Sequence, residues 1–257
     1  MQVAILSGIY AKESADLARS YPVNLTPVTE NSTGEGSGIS KGYLRLIPGA
    51  VTTATFEGAD RGGTLWQGRH IRALGSRLVE VSAAGAITAI DDLAGSDPVS
   101  FATGFDRLGI AAGGSLYYLT NTGLAKVTDG DLGAVLSVAW QDGYWITTDG
   151  EYIVVTELND PTAVDPLKYG SAEADPDPLV GVLSLRGELY AIGGSTIEVF
   201  GNRAVEGFPF IRNRGAQIPK GAVGSHAFAP FVETFAFVGS CRNEGPCVYL
   251  AGSAQAI

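Results

Sequence analysis

Gly187-Glu188-Leu189-Tyr190-Ala191-Ile192, then Gly193-Gly194, then Ser195-Thr196-Ile197-Glu198-Val199-Phe200: two apolar and aromatic runs face each other across a two-glycine turn. Runs of this length bounded by Gly read as strands, and Gly-Gly between them reads as a tight hairpin. The unit recurs along the chain. Arg77-Leu78-Val79-Glu80-Val81 turns at Ala84-Gly85 into Ala86-Ile87-Thr88-Ala89-Ile90. Ser115-Leu116-Tyr117-Tyr118-Leu119 passes through Asn121-Thr122-Gly123 into Leu124-Ala125-Lys126-Val127, and Gly143-Tyr144-Trp145-Ile146-Thr147 turns at Asp149-Gly150 into Glu151-Tyr152-Ile153-Val154-Val155. Phe235-Ala236-Phe237-Val238 reaches Val248-Tyr249-Leu250 through a loop holding Cys241 and Cys247.

The anchors Leu78, Leu116, Trp145, Leu189 and Phe237 lie 38, 29, 44 and 48 residues apart. An irregular period near 40 predicts an all-β chain of four-stranded, antiparallel propeller-like blades, incomplete in this length. Val99 to Phe101, Leu108 to Ala111, Val135 to Ala139 and Leu179 to Leu185 are the expected remaining strands. A β-sandwich also spaces its strands by about 8–12 residues and is the alternative. Helical periodicity is nearly absent; Lys12 to Arg19 is the best helical stretch and is too short to stand alone.

Residues 1–42 differ from the rest. Tyr21 to Val28 is held extended by Pro22 and Pro27, and Asn31 to Ser40 is rich in Gly and Ser. The expected organisation is an extended N-terminal arm and linker over 1–42, then a propeller of about five hairpin units over 43–257. A second unusual segment, Glu157 to Pro178, carries Asp160, Asp165, Glu173, Asp175 and Asp177 with four prolines. It reads as a long acidic loop projecting from one blade.

Composition narrows the chemistry. The 257 residues include 35 Gly and 12 Pro, as many short strands and turns require, but only 2 His and 2 Cys. That leaves little for a triad and too few thiols for a disulfide scaffold or a four-thiolate zinc site. The net charge of −10 argues against a nucleic-acid clamp, which needs clustered Lys and Arg. Val3 to Tyr10 is short, holds Ser7 and Gly8 and has no basic flank, so it fails as a secretory signal. No segment reaches 18 apolar residues, and the chain is expected to be made in a cytoplasm. Cys241 and Cys247 read as two free thiols, with pairing across their hairpin as the alternative.

His70 and His226 have no carboxylate or Cys at a suggestive spacing and read as surface or packing residues. Asp91-Asp92 and Asp129-Gly130-Asp131 read as turn acids rather than a calcium loop, and Ala112-Gly113-Gly114-Ser115 as a turn rather than a phosphate loop. Glu173 to Asp177 lacks the fixed, opposed carboxylates of a glycosidase. Arg203, Arg212 and Arg214, interleaved with Phe208 and Phe210 and followed by Lys220, form a candidate interaction patch. No enzyme, cofactor or metal site is expected. Trp66, Trp140, Trp145 and Tyr152 keep open a carbohydrate-binding or adhesive propeller, since aromatic rings stack on sugars.

Tyr21-Pro22-Val23-Asn24-Leu25, Gly42-Tyr43-Leu44-Arg45 and Ile47-Pro48-Gly49 resemble the opening of the packaged-DNA stabilisation proteins of short-tailed phages, also called tail accessory, hub or nozzle proteins. Gly194 to Phe200, Lys220-Gly221, Phe235 to Gly239 and Val248 to Ser253 follow in that family's order. The resemblance covers the N-terminal half of such proteins, which continue with strands that complete the propeller and a C-terminal domain. A fragment or an unusually short relative is therefore expected. The resemblance implies a hexameric ring in the virion tail, below the portal and adaptor. There it extends the channel, retains packaged double-stranded DNA, conducts it at ejection and bears a needle or fibre; it implies no catalysis and no membrane insertion. A carboxylate lining would let DNA pass without holding it, so the 157–177 acids are expected to face its path.

Overall fold

Short β-branched and aromatic runs, each too short to bury itself, fold here by pairing with the next run and stacking the resulting sheets. The computed structural model describes residues 24–29, 42–49, 51–52, 54–158, 160–173, 175–240, 245–251 and 255–256. The short helical stretch at 12–19, the Gly/Ser stretch and Cys241 lie outside these residues; Cys247 is exposed. The chain divides into two compact units, Met1–Thr53 and Ala54–Ile257. In the first, β1 (Leu25–Thr29) pairs antiparallel with β2 (Gly42–Leu46), Pro27 lying opposite Leu44.

The second unit is a five-bladed β-propeller. Blade one is β3 (Asp60–Trp66), β4 (Arg69–Leu74), β5 (Arg77–Val81) and β6 (Ile87–Asp92). Blade two is β7 (Ser100–Thr103), β8 (Leu108–Ala112), β9 (Ser115–Thr120) and β10 (Gly123–Lys126). Blade three is β11 (Ser137–Gln141), β12 (Tyr144–Thr148), β13 (Tyr152–Glu157) and β14 (Asp160–Ser171). Blade four is β15 (Leu179–Leu185), β16 (Glu188–Gly193), β17 (Ile197–Asn202) and β18 (Phe210–Arg212). In blade five, β19 (Gly221–Ala222) and β20 (Phe228–Phe231) both pair with β21 (Thr234–Ser240), which is followed by β22 (Cys247–Leu250) and β23 (Gln255–Ala256). Successive first strands touch, β7 with β11 and β11 with β15.

The hairpins visible in the sequence are not equivalent parts of the blades. In blades one and two they are the third and fourth strands; in blades three and four they are the second and third. The second strands repeat more evenly: from Arg69 to Leu108, Tyr144, Glu188 and Thr234 the steps are 39, 36, 44 and 46 residues. Asp142-Gly143 shows how the first turn of a blade is made, with φ of 53° and 91° at its two central residues. Both angles are positive, the conformation of the two-residue hairpin that matches strand twist.

Four apolar clusters seal four blade interfaces. Ile71 and Leu78 meet Ile110 and Leu119 between blades one and two, and Leu116 and Tyr118 meet Val138 and Trp145 between two and three. Ile146 and Ile153 meet Leu189 and Phe200 between three and four; Ile192 and Ile197 meet Phe235 and Phe237 between four and five. Arg61, 3% exposed, adds a polar clamp. Its guanidinium donates to the carbonyls of Asp97 (2.7 Å), Gly75 (3.0 Å) and Ala94 (2.7 Å), tying blade one to the crossing that leaves it.

Among the described residues no such cluster joins blade five to blade one. The face of blade five turned away from blade four carries Val238 opposite Val248, with the Val223 amide donating to the Val238 carbonyl. These valines are 40–56% exposed, Phe231 is 53% exposed and Leu65 of blade one 73%.

Candidate functional site: an acidic end of the propeller

A blade of four antiparallel strands returns the chain to the end where it started. Every turn between second and third strands, and every crossing to the next blade, therefore lies at one end of the propeller. That end is where the acids collect. Asp91 and Asp92 end β6 and Asp97 stands on the first crossing, Asp129 and Asp131 on the second, Asp149 and Glu151 at the β12–β13 turn, and Glu173, Asp175 and Asp177 on the third crossing. Those stretches contain no Lys or Arg; the fourth crossing, 213–220, brings Arg214 and Lys220 to the same end, and Arg77 reaches Asp92 from the start of β5, at 3.6 Å.

Asp160 and Asp165 do not belong to a loop. They lie in β14, a twelve-residue edge strand paired with β13, which corrects the projecting-loop reading. The prolines misled, because an edge strand tolerates Pro where its outward amide is not needed. Asp160-Pro161-Thr162 and Asp165-Pro166-Leu167 repeat one device: the Asp Oδ1 accepts the amide two residues on, at 3.1 Å and 2.9 Å. Proline removes one donor and Asp occupies the next, so the edge is blunted against a foreign strand.

Asp177 also has a structural partner. It accepts the amides of Ser195 (2.5 Å) and Thr196 (3.1 Å) and the Thr196 hydroxyl (3.1 Å), pinning the Gly193-Gly194 turn. Eighteen residues separate these groups, so no local pattern announces them. Glu173 accepts from the Ser171 hydroxyl at 2.7 Å. Glu151, Tyr152, Glu173, Asp175 and Asp177 line one open cleft of about 640 Å³. A neighbouring pocket of about 310 Å³ joins Asp165 to Asp131, Asp149, Tyr152 and Tyr169. Asp160 is apart from both. A hydrogen bond to Glu151, then the charges of Glu151 and Asp149, push the Tyr152 phenol above its ordinary pKa.

The candidate basic patch is divided by the fold. Arg203 and Arg214 are exposed, but Phe210 is 3% exposed and Phe208 packs against Gly170 and Phe200. Phe210 is sealed in the third-to-fourth blade interface, and Phe208 is half-buried against it. Arg212 Nε lies 3.0 Å from Glu198 Oε2, and Glu198 is 2% exposed, the one buried carboxylate among the described residues. Lys220 lies over the Tyr249 ring, 5.3 Å from its centroid. Of the aromatics considered for sugar stacking, Trp66 and Trp145 are sealed in blade interfaces, while Trp140 and Tyr152 are half-buried. His70 lies 3.2 Å from Arg72 Nη1; His226 is exposed beside the Pro98 carbonyl, and partial desolvation of its ring pulls its pKa below the ordinary value.

Five antiparallel blades about one axis, with one acid-rich end, place the protein among the β-propellers. A family model described as "Bacteriophage P22 Gp10, beta-propeller" matches residues 1–257, and the chain belongs to that family. The "Tail hub protein gp10" of Salmonella phage P22 is 27% identical over 264 residues, covering 95% of this chain and 53% of the relative. The chain thus spans about half the length of the curated relative it matches. More distant likenesses are BamB from Moraxella catarrhalis (11% identical, 79% of this chain and 65% of that one, TM-score 0.49) and the Pan2 WD40 domain of Neurospora crassa (9% identical, 78% and 65%, TM-score 0.49). Among the described residues, no helix is long and apolar enough to cross a membrane.

Proposed function

We propose that this chain is the propeller portion of a phage tail hub, a non-catalytic virion protein made in the host cytoplasm. In this reading six copies form a ring that extends the portal and adaptor channel, bears a needle or fibre, retains packaged double-stranded DNA and conducts it at ejection. The observation that carries it is the acidic end of the propeller, in a chain whose family is that of a tail hub protein. A bore must guide DNA without holding it. Carboxylates release no counterions to a duplex and repel its phosphates, within a screening length of about 8 Å at physiological salt.

Asp165, Glu173, Asp175 and Asp177, with Asp149 and Glu151, are the acids placed against the DNA path; Asp160, at the β13–β14 turn, stands toward the opposite end of the blade and is left out of it. Arg203 and Arg214 are the part of the basic patch left for contact with a neighbour. The first unit, which contains residues 1–42, serves as the arm that meets the adaptor, and the propeller follows from Ala54. The exposed valine face of blade five supports closure of the ring by a further sheet.

The experiment is duplex binding by fluorescence anisotropy at 50 mM salt. The native chain is expected to show none, and Glu151→Lys with Glu173→Lys and Asp175→Lys to create salt-sensitive binding. Tight binding by the native chain would overturn the reading. So would an assembled ring with this end on its outer wall and a neutral or basic bore. Unchanged assembly on portal–adaptor particles after deletion of 1–42 would remove the role given to the arm.

A further inference from the structure

Blade three outreaches its neighbour. Its outermost strand, β14, has twelve residues, whereas β10 of blade two has four. The surplus of the blade-three face on the blade-two side is therefore not covered by a sheet. The crossing between the two blades folds beneath it: its 3-10 turn Gly130–Leu132 brings Leu132 under the strands, and the Asp129 carboxylate accepts the Val164 amide at 3.0 Å. Leu132 and Val164, 4% and 7% exposed, help floor the resulting pocket of about 310 Å³.

Tyr152 and Tyr169 wall it. Tyr169 pairs with Val154, so Tyr152 sits diagonally across the β13–β14 ladder on the same face. Their rings meet edge to face, centroids 5.0 Å apart and planes at 83°, and Tyr169 is 52% exposed. Asp131, Asp149 and Asp165 stand at the rim. Asp131 and Asp149 make no ion pair among the described residues. The nearby ammonium of Lys168 is held by Glu157 at 2.6 Å and reaches Asp165 only at 3.9 Å. Turn acids alone would be no more than turn acids. Here they border two tyrosine rings over a buried apolar floor, which is the composition that receives an organic cation: ring faces attract the charge, carboxylates neutralise it, and the floor takes the aliphatic stem.

We propose that this pocket receives one arginine side chain from a protein docked on the acidic end of the propeller. Arginine fits better than lysine because its planar guanidinium stacks on a ring while donating to more than one carboxylate. The pocket lies on the outer two strands of the blade, and the assignment needs none of the DNA-path reading.

The test uses the whole 257-residue chain and N-acetyl-arginine amide as the probe, followed by NMR of the tyrosine rings and backbone amides. Saturable shifts confined to Tyr152, Tyr169 and the 130–133 amides are expected. The neutral isostere N-acetyl-citrulline amide should bind at least roughly tenfold more weakly, since it keeps shape and loses charge. Tyr169→Ala and Asp165→Asn should each weaken binding roughly three- to tenfold, while Tyr169→Phe retains it. Asn at 165 keeps the acceptor for the Leu167 amide, and thermal melts verify that each variant is folded. Unsaturable shifts, equal binding of citrulline, or tighter binding of N-acetyl-lysine amide would each overturn the assignment. Duplex DNA binding is a separate readout, so failure here leaves the channel reading standing, and the converse holds.

Discussion

The indole of Trp145 fills the space that a side chain on Gly109 would need, and a Cβ built on Gly104 would lie 2.5 Å from the same ring. Both glycines belong to blade two and the tryptophan to blade three, so this contact is part of the seal between them. Tyr118 backs the indole, ring centroids 4.9 Å apart. A methyl group at 109 has nowhere to go, because the obstacle is a packed aromatic ring. Gly109→Ala should cost about 1–3 kcal/mol. Urea denaturation followed by tryptophan fluorescence checks it; an unchanged midpoint would show that the interface can shift.

Arg212 and Glu198 lie on neighbouring strands of blade four, with Glu198 almost fully buried. Removing the cation takes the opposite charge away from a buried carboxylate, whereas replacing both residues with apolar ones removes the need for either. Arg212→Leu alone is expected to cost about 3 kcal/mol, and Arg212→Leu with Glu198→Leu to recover most of that. A double-mutant cycle in urea measures the coupling. Simple additivity of the two single changes would contradict it.

Asp177 holds the β16–β17 turn through three hydrogen bonds from Ser195 and Thr196. Asp177→Ala leaves two turn amides without their acceptor and should cost about 2–3 kcal/mol. Hydrogen exchange should accelerate at Ser195 and Thr196 before it does elsewhere in blade four. Unchanged protection at those two amides would assign Asp177 to the cleft alone.

These residues also mark how far the sequence could be read. Strand content, the hairpins and the remaining first and second strands at Val99, Leu108, Val135 and Leu179 were legible, because turn chemistry and apolar runs are local signals. Blade phase was not: Leu78 and Trp145 look alike in sequence yet occupy third and second strands. Asp160 and Asp165 misled because Asp-Pro is written the same way in a loop and along a blunted edge. Phe208 and Phe210 looked like contact residues until Gly170 and Phe200 came to cover them. Of the acidic end only Glu173, Asp175 and Asp177 stood out in the sequence; the other members are scattered from Asp91 onward and are gathered with them only by the direction in which each blade returns the chain.

Stability should fall in alkali through tyrosine. The Tyr190 hydroxyl donates to Glu188 at 2.8 Å, and its ring meets Phe235 edge to face at 5.0 Å. Burial first, then the hydrogen bond and charge of Glu188, push its pKa up from 10.0 to about 12. Tyr118, whose hydroxyl donates to the Pro161 carbonyl at 2.8 Å, is also pushed up by burial. The native state therefore holds these protons more tightly than the unfolded chain. Their contribution is fully present below pH 10 and is lost as pH rises toward the folded value, because above 10 the unfolded state binds fewer protons. Urea denaturation at pH 8, 9, 10 and 11 should show a plateau and then a decline. Tyr190→Phe cannot ionise, so its decline should be shallower, with Tyr118 supplying what remains. Equal slopes in the two proteins would mean that Tyr190 ionises in the native state as readily as in the unfolded chain.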